Sequence, residues 1–178
     1  MKTNFVIVAI IISVIFISCK NDKKDEVANP DVKQNFSVDL YVVAPLDDNF
    51  SVYYTEDNTI SFNGDKAVWR GVKGQSASQQ VTLDLKEEII PTNIRIDFGI
   101  NKDQGDVVLE KFKLSFYGKS FEAKGSEFFK YFIPNDSIKT EIDPAKGTVK
   151  FLKNPKKFFS PFYYPQQAVL DEIKKITN

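Results

Sequence analysis

Histidine is absent from this 178-residue chain, and cysteine, methionine and tryptophan occur once each. Without histidine the chain lacks the commonest general base and the commonest transition-metal ligand. A lone cysteine excludes an intramolecular disulfide, so a folded domain must rely on its core. Excess charge of one sign is also missing, because 24 Lys and Arg balance 24 Asp and Glu. A nucleic-acid binder would carry a basic balance or stripe. The lysines here are scattered among acids, and the short Lys153–Lys157 stretch reads as a solvated loop. No G-x-S-x-G, H-E-x-x-H or P-loop pattern occurs. Together these absences point away from an enzyme and leave a non-catalytic role as the expectation.

What the chain does contain is apolar and aromatic. Apolar residues make up 42% and aromatics 13%, including 16 Phe and 7 Tyr, too much for a disordered chain. The opening segment is the most distinctive. Met1-Lys2-Thr3-Asn4 is a short, singly positive start, and Phe5 to Ile17 is apolar except for Ser13. That run falls within the ~7–15 residues of a signal-peptide core and short of the ~20 that span a bilayer. The polar run from Lys20 to Glu26 ends it abruptly.

Phe16-Ile17-Ser18-Cys19 resembles the lipobox of bacterial lipoproteins, with Phe16 standing where Leu or Val is usual. The resemblance implies cleavage after Ser18 and acylation of Cys19, whose new N-terminus would hold the protein on membrane lipid. One acyl chain binds a bilayer marginally and two or three anchor it, at ~0.8 kcal/mol per buried methylene. Lys20, Asp22, Asp25 and Glu26 look like the export tag of Bacteroidota-type surface lipoproteins. The expected location is therefore the outer membrane, at the cell surface or facing the periplasm. The expected organisation is a signal peptide over 1–18, a flexible tether over 19–35 and one domain over 36–178. Removing the first 18 of 178 residues leaves 160, enough for a substantial core.

Within that domain the apolar pattern has period two. Phe36, Val38, Leu40 and Val42 share one face of a first strand. Strands are also predicted over 50–55, 67–72, 81–85, 94–98, 107–117 and 120–123, divided by turn chemistry at Pro45, Asp47-Asp48-Asn49, Asn63-Gly64 and Gly118. Such spacing predicts an all-β antiparallel sandwich. Two short helices are expected. One lies over 125–132, and the other runs from Pro165 to Ile176 with Pro in the first turn and Val169, Leu170, Ile173 and Ile176 on one face.

Three stretches carry a second resemblance: Asn49 to Asp57, Pro91 to Gly99, and Glu110 to Leu114. They are similar to jelly-roll domains of the galactose-binding-like type, found on bacterial surface proteins and on membrane glycosyltransferase-like proteins. Phe128–Asn135 and Phe158–Pro165 resemble the tail that follows such domains. The resemblance implies a jelly-roll-like sandwich and a tendency to bind glycans, and it brings no site signature.

Candidate ligand-binding residues follow from side-chain chemistry. Trp69 with Tyr53 and Tyr54 would form a sugar-stacking platform, and Arg70 would then bond hydroxyl groups. The competing reading buries the lone Trp69 in the core and alternates the tyrosines across the sheet. Arg95 and Asp97 share a strand face and suit either a ligand or a structural ion pair. Asp47, Asp48 and Asn49 would offer oxygens to a structural Ca²⁺, or form a plain turn; their spacing is not that of an EF-hand. No cofactor is expected. Phe128, Phe129, Tyr131, Phe132, Phe158, Phe159, Phe162, Tyr163 and Tyr164 are expected to pack the last helix onto the sandwich or to present a protein-docking patch. The expected partner beyond membrane lipid is thus a glycan, with another envelope protein as the alternative.

Overall fold

A computed structural model describes residues 34–153 and 160–178. Ten strands are present: β1 (Ser37–Ala44), β2 (Asp48–Thr55), β3 (Ala67–Val72), β4 (Gln75–Asp84), β5 (Asn93–Asp97), β6 (Val107–Phe116), β7 (Lys119–Lys124), β8 (Thr140–Asp143), β9 (Thr148–Phe151) and β10 (Phe162–Tyr163). A short 3₁₀ turn at Gly125–Glu127 leads into α1 (Phe128–Tyr131), and α2 (Gln167–Thr177) closes the chain. The larger, six-stranded sheet runs β4-β1-β6-β9-β8 with β7 also on β6, and the smaller runs β10-β5-β2-β3. Every pairing is antiparallel. The expected all-β sandwich with a short C-terminal helix is what forms.

Alternation builds both layers. Val38, Leu40 and Val42 of β1, Val52 and Tyr54 of β2, and Ile94 and Ile96 of β5 meet in one buried core. Strand β6 needs a device, because its inward residues change parity: Val107 and Leu109 are buried, and so are Phe112 and Leu114. The register against β1 slips here, with Tyr41 opposite Lys111 but Val42 opposite Leu109. The extra residue, Glu110, is absorbed as a bulge, which keeps both apolar pairs facing inward. Beyond the bulge β7 pairs with β6, and before it β9 takes over the same edge. The crossing point is Gly125, where any Cβ would run into the Leu109 carbonyl oxygen.

Phe98, Phe112, Phe128, Phe132, Phe151 and Tyr163 fill the end of the core under α1. Phe128 and Phe132 stack at 4.6 Å, and most other contacts are edge-to-face. These rings do pack the C-terminal region onto the sandwich, while Phe158 and Phe159 lie outside the described residues. Helix α2 buries Val169, Ile173 and Ile176. It begins two residues later than the proline pattern suggests: Pro165 bridges to Phe132, and Gln166 caps the start. The Gln166 side-chain amide donates to the Phe129 and Phe132 carbonyls, which fixes the helix against α1.

Four strands are longer or newer than periodicity indicates. Residues 75–80 extend β4 although they are all polar or small, since β4 is an edge strand and those side chains face water. The hairpin β8–β9 turns through Gly147 at φ +73°, and β10 contributes only two residues.

Candidate functional site

The outer face of the small sheet is where most of the sequence-derived candidates gather. Residues opposite one another are Tyr53 and Arg95, then Ser51 with both Asp97 and Trp69, then Asp97 with Phe162. Alternation puts Ser51, Tyr53, Asn93, Arg95, Asp97 and Trp69 on this face. Arg95 is its centre. Its Nε donates to Asp97 Oδ1 at 2.8 Å and its NH2 to Asp97 Oδ2 at 2.7 Å, a bidentate pair along one strand. The guanidinium lies 4.0 Å from the centre of the Tyr53 ring, with Phe162, Phe62 and Tyr164 at 5.4–5.8 Å. Only 17% of the Arg95 side chain and 8% of that of Asp97 reach solvent.

Burial dominates the electrostatics of this pair. It pushes the Asp97 carboxyl up, against the pull of Arg95. For Arg95, burial opposes the charge, but bonding and attraction to Asp97, helped by Tyr164, raise its pKa overall. Two polar atoms on this face, Ser51 Oγ and Asn93 Nδ2, have no hydrogen-bond partner among the described residues, although both residues are nearly or wholly inaccessible.

Beside the arginine the face opens into a groove of about 520 Å³, lined by Ile60, Ile133, Phe162, Tyr164, Pro165 and the 134–137 turn. Phe162 and Tyr164 meet edge-to-face at 5.9 Å, and Phe62 leans on Tyr164 at 5.7 Å. The turn supplies polarity: Asn135 Nδ2 donates to the Phe162 carbonyl, while Asp136 and Ser137 are exposed at the rim. Trp69 stands at the far side of the same face, 44% exposed and 6.0 Å edge-to-face from Tyr53.

The structure therefore brings together Tyr53, Trp69, Arg95 and Asp97. Trp69 is not a core residue, because its position on β3 faces outward. Tyr54 points the opposite way from Tyr53 and is buried at 8% exposure among core residues. Arg70 also points away from Trp69; it is exposed, and its Nε donates to the Thr82 carbonyl on β4 at 2.9 Å. Arg95 and Asp97 form the structural ion pair anticipated for them, within one strand rather than across two. Cys19 lies outside the described residues. Ile60, Phe62 and Ile133 were not singled out by sequence; isolated apolar residues in a polar loop and a turn are the only trace they leave there.

The Asp47–Asn49 stretch sits at one end of the sandwich, in a second hollow of about 580 Å³ with Gly71, Val72, Lys73, Ile100 and Asn101. Asp48 is 6% exposed. Its Oδ1 accepts the backbone N–H groups of Asn49, Ile100 and Asn101 at 2.7, 2.8 and 2.9 Å. Its Oδ2 accepts from buried Gln104 at 3.1 Å. Gly99, at φ +107°, leaves the room that this carboxylate occupies. Asp47 accepts the Gly74 N–H and pairs with Lys73, which together hold its pKa below the usual value. These oxygens face protein donors, and Asp48 and Asn49 open β2 instead of forming the plain turn expected of them, because the carboxylate of Asp48 is held by the 100–104 segment. Among the described residues no group of three acidic or cysteine side chains is placed to hold a metal ion.

No protein-family model, curated protein or solved structure matches this chain. Any functional reading thus rests on its own residues.

Proposed function

We propose that this protein is a lipid-anchored, non-catalytic binding protein of the cell envelope, and that the groove on the small sheet takes a glycan. The observation that carries the reading is the run of half-exposed rings, Tyr164, Phe162 and Trp69, around the Arg95–Asp97 pair. A pyranose packs its C–H face on such rings, and polar groups at the rim meet its hydroxyls. Asp136 and Ser137 stand where that rim is needed. Both oxygens of Asp97 are engaged by Arg95, which leaves this carboxylate poorly suited to acid–base work. The likeness of three strand segments to galactose-binding-like domains points the same way. Anchoring rests on the apolar run that ends at Cys19, and no described helix is long and apolar enough to cross a membrane.

A glycan array probed with the chain from Asn35 onward tests the site, with Trp69→Ala and Tyr164→Ala beside it. Binding that both variants lose while staying folded supports the reading. Binding that neither variant disturbs, or no binding to any glycan, overturns it.

A second reading, docking on another envelope protein, is favoured by one feature. Ile60, Ile133 and Phe162 are 59%, 50% and 38% exposed on a single groove, more bare apolar surface than a sugar uses. A photo-crosslinker at Ile133 in growing cells should then give one discrete protein adduct. No adduct would set this reading aside.

A further inference from the structure

The end of the sandwich where the chain enters also carries the tip of the β6–β7 hairpin. Ser37, the first residue of β1, lies opposite Ser115, and Ser115 lies opposite Ser120. The tip, residues 116–119, therefore projects just past the point of entry. On the other side of β1 the chain leaves β4 after Asp84, again opposite Ser37, and forms the 86–92 loop. Loop, entry point and hairpin tip stand side by side, one strand spacing of ~4.8 Å apart.

The tip is built against backbone preference. Two residues join the strands, Tyr117 at φ +44° and Gly118 at φ +79°, so both central positions are left-handed as in a type I′ turn. Asn-Gly satisfies such a turn, whereas a bulky residue there is strained. Tyr117 is 56% exposed and touches Phe116 edge-to-face at 4.7 Å. Ile90, in the neighbouring loop, is 46% exposed. Lys86 and Lys119 balance Glu87 and Glu88 beside the tip, while the Asn58 N–H on the Thr92 hydroxyl brings Asp57 and the Glu56–Lys66 pair up against the 86–92 loop.

We propose that this end rests on the lipid bilayer, with Tyr117 and Ile90 at headgroup level, so that the domain is held in one orientation. The proposal rests on the anchoring of Cys19. From Cys19 to Phe36 the chain advances 17 residues, a reach of at most ~60 Å. The entry end is thus the part of the domain kept nearest the membrane, and tyrosine favours the interface between water and acyl chains.

The test uses the full chain, made with its leader in a lipoprotein-processing Gram-negative host. The purified protein is reconstituted into phosphatidylethanolamine–phosphatidylglycerol vesicles with brominated acyl chains. Two variants in a Trp69→Phe background carry one reporter each, Tyr117→Trp at the tip and Leu46→Trp at the opposite end. Bromine should quench the reporter at 117 several-fold more than that at 46. Equal quenching, or none, in protein that floats with the vesicles overturns the proposal and leaves the anchor standing. Protein that does not float overturns the anchor, and the proposal falls with it.

Discussion

Replacing Asp48 with alanine should loosen one whole end of the sandwich. Its carboxylate ties the start of β2 to residues 99–104, which lead from β5 towards β6. Three backbone N–H groups meet Oδ1 within 2.9 Å, and Gln104 meets Oδ2. The Asn49 N–H is local and turns to water at little cost. The Ile100 and Asn101 N–H groups would lose a charged acceptor, worth ~1.5–3 kcal/mol each. Gln104 is wholly buried and would lose one of its partners too. The expected destabilisation is about 3–5 kcal/mol, a large part of the ~5–15 kcal/mol that holds a domain together. In a chain of this size that lowers the melting temperature by roughly 10–15 °C. Urea unfolding of the chain from Gln34 onward measures it, with Asp48→Asn as the control that keeps the shape and removes the charge. Asparagine should lose less, because its oxygen still accepts while its amide opposes that of Gln104. Calcium should leave the parent midpoint unmoved, since the lone pairs already face protein donors. An alanine variant within about 1 kcal/mol of the parent would refute the reasoning, because the loop would then be held by something else.

Four other outcomes follow from the geometry. Gly125→Ala drives a methyl group into the Leu109 carbonyl at the strand crossing, and should cost about 3 kcal/mol or prevent folding, read by urea midpoint or soluble yield. Tyr117→Asn relieves a left-handed bulky residue and should stabilise the domain by about 0.5–1 kcal/mol in the same assay. Arg95→Met strands the Asp97 carboxylate under the rings and should cost about 3–5 kcal/mol near neutral pH, with the loss shrinking as acid protonates Asp97. Burial pushes the Tyr163 phenol up, so the folded protein keeps a proton that the unfolded chain releases near pH ~10. That contribution is complete below pH ~10 and is lost as the pH rises further, so Tyr163→Phe should flatten the alkaline fall in melting temperature. It should also remove a hydroxyl that has no partner among the described residues.

Much of this fold is legible because a strand with one buried face writes itself as alternation. Where the buried face is not the only constraint, the signal fades. Gln75 to Gln80 form six of the ten residues of β4 with no apolar residue but Ala77, since an edge strand needs only its backbone partner on β1. The strands of β8–β9 are four residues each, too short for a period to show. The same alternation explains which candidates gathered. Residues two apart, such as Arg95 and Asp97, share a face, while adjacent ones, Tyr53 with Tyr54 and Trp69 with Arg70, are parted by the sheet. Phe62 and Tyr164 reach Arg95 through loops whose paths no local pattern encodes.

Arg70, set aside from the groove, has its own consequence. It seals the flank where β3 and β4, the outermost strands of the two layers, come together, by taking up the Thr82 carbonyl. The remaining margins are β7, six residues long, β8, four, and β10, two. The last two are too short to present a long row of backbone groups to another molecule. A protein crowded in two dimensions on a membrane meets copies of itself constantly, and strand-to-strand polymerisation is the standing hazard of β-sheet proteins there. Were the chain anchored as proposed, its longest open edge, β4, would meet that hazard with the polar side chains from Gln75 to Gln80 and with Arg70 across it.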